Sequence, residues 1–139
     1  MRLLVDCNVF LDVFLEREGL YQNSALLLSQ AKRLGYELIM PAHAAPNILY
    51  VVSKNKSRTT ALSALSQSLA FASVGALDES AILRGLSYGF NDIEDSFVAA
   101  IAQKAKADYV VTNNIKDFAL SPIPAVTPAE FLARMAQES

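Results

Sequence analysis

Arg2-Leu3-Leu4-Val5-Asp6 is a short apolar run that ends on an acid. Four residues are too few for a helix, and a run this uniformly apolar reads as a parallel strand buried on both faces. Three further acids follow comparable signals. Asp117 comes shortly after the apolar run Tyr109-Val110-Val111-Thr112, and Asp92 and Asp95 open a helix in Asn91-Asp92-Ile93-Glu94-Asp95. In a parallel α/β sheet, residues just past the strand carboxyl ends and at the starts of crossover helices line one crevice. Two unit charges about 4 Å apart repel by roughly 4 kcal/mol at an effective dielectric near 20. A crevice collecting Asp6, Asp92, Asp95 and Asp117 must protonate some of them or hold a cation, and the cation is the favoured reading.

Outward from that strand the chain alternates. Asn23 is a candidate cap for a helix carrying Leu27, Leu28, Ala31 and Leu34, with Gly35 as its stop. Residues 37–40 read as a second strand closed by Pro41, and residues 46–53 as a short helix with Pro46 in its first turn. Leu62, Leu65 and Leu69 mark one helical face, residues 71–74 a third strand, and Asp78 the cap of a helix with Ile82, Leu83 and Leu86 inward. The helix from about Asp92, capped by Asn91, buries Phe97, Ile101 and Ala105. Residues 109–112 form a fourth strand and Ala125–Val126 a weak fifth; Thr127-Pro128-Ala129-Glu130 is a helix start with a cap, an early proline and a capping-box acid. Such alternation predicts an α/β fold, a central parallel sheet of about four or five strands with helices on both faces.

The 139 residues suit one domain spanning 1–139, and 53% hydrophobic with 19% charged residues is a globular composition. A net charge of -2 gives no basic footprint for indiscriminate nucleic-acid binding, which weighs against a passive coating protein. Cys7 is the only cysteine, so an internal disulfide is impossible. Met1 to Asp6 meets an acid too soon for a secretory segment. The uncharged stretch 59–77 is broken by serines and by Gln67, so it reads as a buried helix and a strand instead of a membrane span. A soluble, cytoplasmic protein is expected.

Each acid also has an ordinary explanation. Acids in the first turn of a helix complement its positive end, which accounts for segment 91–95 taken alone. Positions 92 and 95 share a face, however, whereas Glu94 points about 100° away from Asp95 and reads as solvated or capping. Asp6 is either a cap or a site residue, Asp12 a helix acid or a support for the site, and Asp117 a turn former or a ligand. Asn8, Thr112, Asn113 and Asn114 supply neutral hydrogen-bonding groups to the same crevice. Mg²⁺ and Mn²⁺ favour carboxylate oxygens, and such a set suits metal-assisted attack of water on a phosphodiester. Cys7 reads as a small buried residue, His43 as a loop or helix-start residue, and Lys54, Lys56 and Arg58 as a solvated turn or a phosphate contact.

Three segments in order resemble one family. Leu4-Val5-Asp6-Cys7-Asn8-Val9-Phe10-Leu11-Asp12 is similar to the opening motif of PIN domains, Asp92-Ile93-Glu94-Asp95-Ser96-Phe97 to their acidic helix, and the segment 108–118, through Asp117-Phe118, to their last acidic motif. The match runs nearly end to end. The resemblance implies a PIN-like three-layer fold and a Mg²⁺- or Mn²⁺-dependent ribonuclease, in which Asp6, Asp95 and Asp117 bind metal with Asp92 alongside. It implies, for a chain of this size, the toxin of a type II toxin–antitoxin pair, VapC-like, that dimerises and is silenced by an antitoxin segment in its acidic groove. The family commonly has a glutamate where Asn47 aligns, one branch carrying Asn there, and often an arginine where Asn113 stands. Losing that glutamate removes one anionic ligand.

Three functions are distinguishable. The first is an RNA-cleaving enzyme that uses Asp6, Asp95, Asp117 and Asp92, with Asn8, Asn47, Thr112 and Asn114 supporting. The second is a weakly catalytic scaffold whose acidic groove holds a basic partner. The third, a phosphatase with Asp6 as nucleophile, wants an acid two residues later, where Asn8 stands.

Overall fold

The computed structural model describes residues 1–138. β1 (Arg2–Val5), β2 (Glu37–Pro41), β3 (Ser73–Gly75), β4 (Tyr109–Val111) and β5 (Ala125–Val126) form one sheet in the order β3-β2-β1-β4-β5. All four pairings are parallel. Alternate residues of the strands feed two separate cores. Leu3 and Val5 join Leu38, Met40 and Val111 on one face, and Leu4 joins Ile39 and Val110 on the other. Burial on both faces is why β1 is apolar at every position after Arg2.

Five helices cover the first face: α1 (Cys7–Phe14), α2 (Tyr21–Arg33), α3 (Ala44–Asn55), α4 (Arg58–Phe71) and, after the two helices of the second face, α7 (Pro128–Glu138). α5 (Glu79–Leu86) and α6 (Ile93–Lys104) cover the second. The result is a three-layer α/β fold, as the alternation predicts. The capping box of α7 forms as expected: Thr127 Oγ1 accepts from the Glu130 amide at 3.1 Å and donates to Glu130 Oε1 at 3.0 Å.

Several details depart from the sequence reading, most of them where small residues displace large ones. α4 buries Ala61, Ala64 and Ser68, whereas Leu62 and Leu69 are half exposed. α5 buries Ala81 and Gly85 and turns Leu83 and Leu86 outward. A Cβ on Gly85 would stand 3.0 Å from the Ser96 carbonyl oxygen and 2.9 Å from Phe97 Cδ1, so α5 and α6 touch backbone to backbone there. Close approach of this kind selects the small face, and the leucines are left outside. Residues 59–77 are therefore a half-exposed helix and an edge strand, not a buried helix. Phe71 ends α4 instead of entering β3.

Asn23 does not cap α2. The helix begins at Tyr21 because a turn through Gly19, at φ 79°, brings the Leu20 and Tyr21 amides onto the Arg17 carbonyl. Leu34 is exposed past the helix end. In α6, Ile101 is buried, with Phe97 and Ala105 half-buried beside it. Among the described residues no helix is long and apolar enough to cross a membrane.

Candidate active site

β1 delivers Asp6 to the carboxyl edge of the sheet at its centre, and β4 delivers Thr112 beside it. The Asp6 amide continues the ladder onto the Val111 carbonyl at 2.9 Å. Its carboxylate then serves two purposes. Oδ1 accepts from the Cys7 amide at 2.8 Å and caps α1, while Oδ2 accepts from Thr112 Oγ1 at 2.8 Å and Asn8 Nδ2 at 3.3 Å. Cap and site residue are thus both fitting descriptions of Asp6. Burial pushes its carboxyl upward, with the Thr112 and Cys7 hydrogen bonds opposing.

α6 supplies the second set. Asp92, and not Asn91, is its cap, accepting from the Asp95 amide at 3.2 Å. Asp95 sits in the first turn, 9% exposed, and its Oδ2 is buried without any hydrogen-bond partner. Its pKa is raised to about 7, first by burial and then by the charges of Asp6, Asp92, Asp117 and Glu94. Asp117 arrives on a single 3-10 turn, Ile115–Phe118, anchored by buried Phe118 and by its amide on the Asn114 carbonyl at 3.0 Å. Asp92 and Asp117 line one hollow of about 150 Å³, floored by Phe90 and flanked by Lys116 and Leu120.

Asp6, Asp92 and Asp117, with Glu94, act electrostatically on Asp95, so three segments of the chain bring carboxylates toward one edge. They are not yet a closed cage. Among the described residues no group of three or more His, Cys, Asp or Glu side chains is already arranged to hold an ion. The donor set nevertheless fits a hard divalent cation in kind: all oxygen, anionic, and including one buried carboxylate oxygen that has no hydrogen-bond partner among the described residues. Asp6, Asp95 and Asp117 would hold it, with Asp92 beside them.

The supporting groups divide. Thr112 is fully buried and also accepts from the Asn114 amide at 3.1 Å, so it ties Asp6 to the loop carrying Asp117. Asn8 bridges Asp6 and the Asn113 amide, the latter at 3.4 Å. Asn47 donates to Cys7 Sγ at 3.2 Å, and the Cys7 thiol is pushed up to about 11, chiefly by burial. Asn47 is thus tethered to a neutral thiol on the rim. Lys54, Lys56 and Arg58 lie exposed at the turn between α3 and α4, with Lys54 over the Tyr50 ring at 5.9 Å.

Two residues read as peripheral from sequence belong to the crevice. Glu94 acts electrostatically on Asp6, Cys7, His43 and Asp95, although its helical angle points it away from Asp95. His43 has a buried, unpartnered Nδ1 and a pKa lowered by burial, with Glu94 and Asp6 opposing that shift. The usable signal was position, since His43 lies just past the end of β2, on the same edge as Asp6. Asp12 is a buried support. It is fully enclosed, accepting through Oδ2 from Asn113 Nδ2 at 2.6 Å and Ser24 Oγ at 3.1 Å, while Oδ1 faces Arg17 Nη1 at 3.5 Å.

A parallel three-layer sheet with carboxylates collected on its central carboxyl edge defines a small class of α/β proteins. The family model described as "PIN domain" matches residues 2–116, and the chain belongs to that family. Solved structures agree on the fold. A chain of VapBC2 from Rickettsia felis, bound to a DNA fragment from its promoter, superposes with a TM-score of 0.70 at 19% identity, over 91% of this chain and 98% of that one. A toxin–antitoxin complex from Klebsiella pneumoniae gives 0.67 at 21% identity, over 90% and 96%. The Mycobacterium tuberculosis toxin VapC20, which cleaves the sarcin–ricin loop, gives 0.71 at 11% identity, over 91% and 99%. No curated protein sequence matches the chain at a significant level.

Proposed function

We propose that the chain is a Mg²⁺- or Mn²⁺-dependent endoribonuclease and the toxin of a type II toxin–antitoxin pair, acting in the cytoplasm as a homodimer. The observation that carries this reading is Asp95. It is a buried carboxylate with an oxygen that has no hydrogen-bond partner among the described residues, and the charges of Asp92 in its own helix start and of Asp6 and Asp117 from distant parts of the chain act on it. A folded chain that assembles this much like charge gains from a cation there. Toxin–antitoxin proteins among the structural neighbours, one of them an RNA-cleaving toxin, support the same assignment.

When bound, the ion supplies activation of water and neutralisation of charge at the phosphate. The protein's own part is positional. Thr112 and Asn8 fix the Asp6 Oδ2 lone pairs, Asp92 fixes the first turn that carries Asp95, and Phe118 seats the turn that carries Asp117. The partners implied are single-stranded RNA and an antitoxin whose basic segment enters the acidic groove.

The test is cleavage of RNA by the purified protein in Mn²⁺, with Asp6→Asn and Asp95→Asn alongside. Loss of cleavage in both variants is expected, and unchanged cleavage in either would remove the mechanism. A second reading has one observation in its favour. Asn47 adds no charge to the crevice and is engaged with Cys7, which suits a weakly catalytic scaffold that holds a basic partner. Calorimetry that detects antitoxin binding but no Mg²⁺ or Mn²⁺ binding would select it.

A further inference from the structure

Beside Asn113 lies a hollow that the hydrolytic reading does not use. It measures about 260 Å³ and is walled by Leu20 and Asn23 from the turn before and first turn of α2, by Thr127 and Pro128 from the start of α7, and by Asn113. Asn113 and Thr127 also wall a second hollow of about 380 Å³, which continues along Asn114 and Lys116 to Asp117. Asp117 in turn borders the hollow that holds Asp92. Neighbouring hollows share walls, Asn113 and Thr127 between the first two and Lys116 and Asp117 between the second and third.

Asn113 stands where two of these hollows meet, and its amide has only one chemically allowed orientation. Asp12 behind it is fully buried and as a carboxylate can only accept, so the 2.6 Å contact must be a donation from Asn113 Nδ2. Ser24 Oγ on the same carboxylate oxygen, and Arg17 facing the other, hold Asp12 in place. That leaves Asn113 Oδ1 as an acceptor not engaged with Asp12, on a residue that lines the pocket, while among the described residues the exposed Asn23 side-chain amide has no hydrogen-bond partner.

We propose that this pocket is a nucleobase subsite that takes a base next to the phosphate held at the acids and sets the sequence preference of the RNA. Its chemistry fits one flat heterocycle. The volume falls below the roughly 300 Å³ at which pockets for drug-sized ligands begin. Leu20 and Pro128 offer apolar walls to a ring, and Asn113 and Asn23 offer neutral groups to a base edge. Sequence-specific recognition of single-stranded RNA hydrogen-bonds the edges of unstacked bases, the part of that scheme that Asn113 and Asn23 supply here. Asp12 is then a positioning residue, acting through Asn113. The proposal rests on the reading of the chain as an RNA-handling protein.

The experiment compares wild type, Asn113→Ala and Leu20→Trp, the last filling the pocket from an exposed wall without touching Asp12. Cleavage in Mn²⁺ is mapped on single-stranded RNAs that carry each base at each position around the cut. Binding of oligo-A, oligo-C and oligo-U is measured in parallel in Ca²⁺. Wild type should favour one base by roughly five- to tenfold, the worth of one or two base-edge hydrogen bonds, and both variants should fall to within about twofold. A base preference in binding that is lost in both variants, found in a protein that cleaves nothing, keeps the subsite and removes the hydrolytic reading. The subsite itself is overturned if wild type shows no base preference, if both variants keep it, or if they weaken only the binding of a protein partner.

Discussion

Replacing the Asp95 carboxylate with an amide removes a charge that the metal-free fold does not easily hold. The folded chain keeps the Asp95 proton up to about pH 7, whereas an ordinary aspartate releases it near 3.8. Ionisation is therefore harder in the folded than in the unfolded chain, and stability falls as pH rises from about 4 to about 7, then stays level. The shift corresponds to about 4 kcal/mol as a ceiling at ~1.4 kcal/mol per unit. In chelator at pH 8, Asp95→Asn should melt several degrees above wild type, and at pH 4 the two should converge. Thermal melts at the two pH values check this. A second single-residue change acts on Asp6. Thr112→Val keeps the shape but removes the hydroxyl that donates to Asp6 Oδ2 at 2.8 Å. The expected loss is about 1–3 kcal/mol in denaturant unfolding, with weaker Mn²⁺ binding. At this scale the sequence marked the four aspartates as candidates, Asp6 by a strand end, Asp92 and Asp95 by a helix start and Asp117 by the polar turn after β4. It did not carry Glu94 or His43, whose membership comes from how elements are turned toward the crevice. Nor did it weigh Asp12 fully, since a buried acid in mid-helix announces itself only when its partners Ser24 and Asn113 are in place.

Helix pairs here pack through their smallest residues, and that reverses a usual expectation. Alanine normally stabilises a helix interior by about 1 kcal/mol over glycine. Gly85→Ala should instead destabilise by about 1–3 kcal/mol, because its Cβ would meet the Ser96 carbonyl at 3.0 Å and α5 would have to lift from α6. Since α6 carries Asp95, the same substitution should also weaken Mn²⁺ binding, measured by titration calorimetry. The existence and order of α5 and α6 were readable from capping residues and periodicity. Which face turns inward was not. Leu83 and Leu86 have the stronger apolar signal, and the contact is decided by backbone proximity at Ala81 and Gly85. The same holds for α4, where Ala61 and Ala64 are buried in place of Leu62 and Leu69. Periodicity locates a helix better than it locates the neighbour.

For the molecule as a whole, the proposed cation at the acids would link folding to metal concentration. An ion that binds only the folded chain, at 100 times its dissociation constant, adds about 2.7 kcal/mol. Mn²⁺ should therefore raise the melting temperature of wild type and have little effect on Asp6→Asn, and EDTA should abolish both the rise and RNA cleavage. The layer architecture was available from the strand–helix alternation, but the strand order was not, since no local signal says that the first strand is the central one. That placement has a consequence for synthesis. β1 pairs with β2 through Leu4 and Ile39 and with β4 through Leu4 and Val110, so its second neighbour lies more than a hundred residues downstream. Asp6 leaves the ribosome well before its companions Asp95, Thr112 and Asp117. A nascent chain that stops short of Asp117 holds an incomplete set of acids, so the finished edge exists only once β4 and the turn after it have been made.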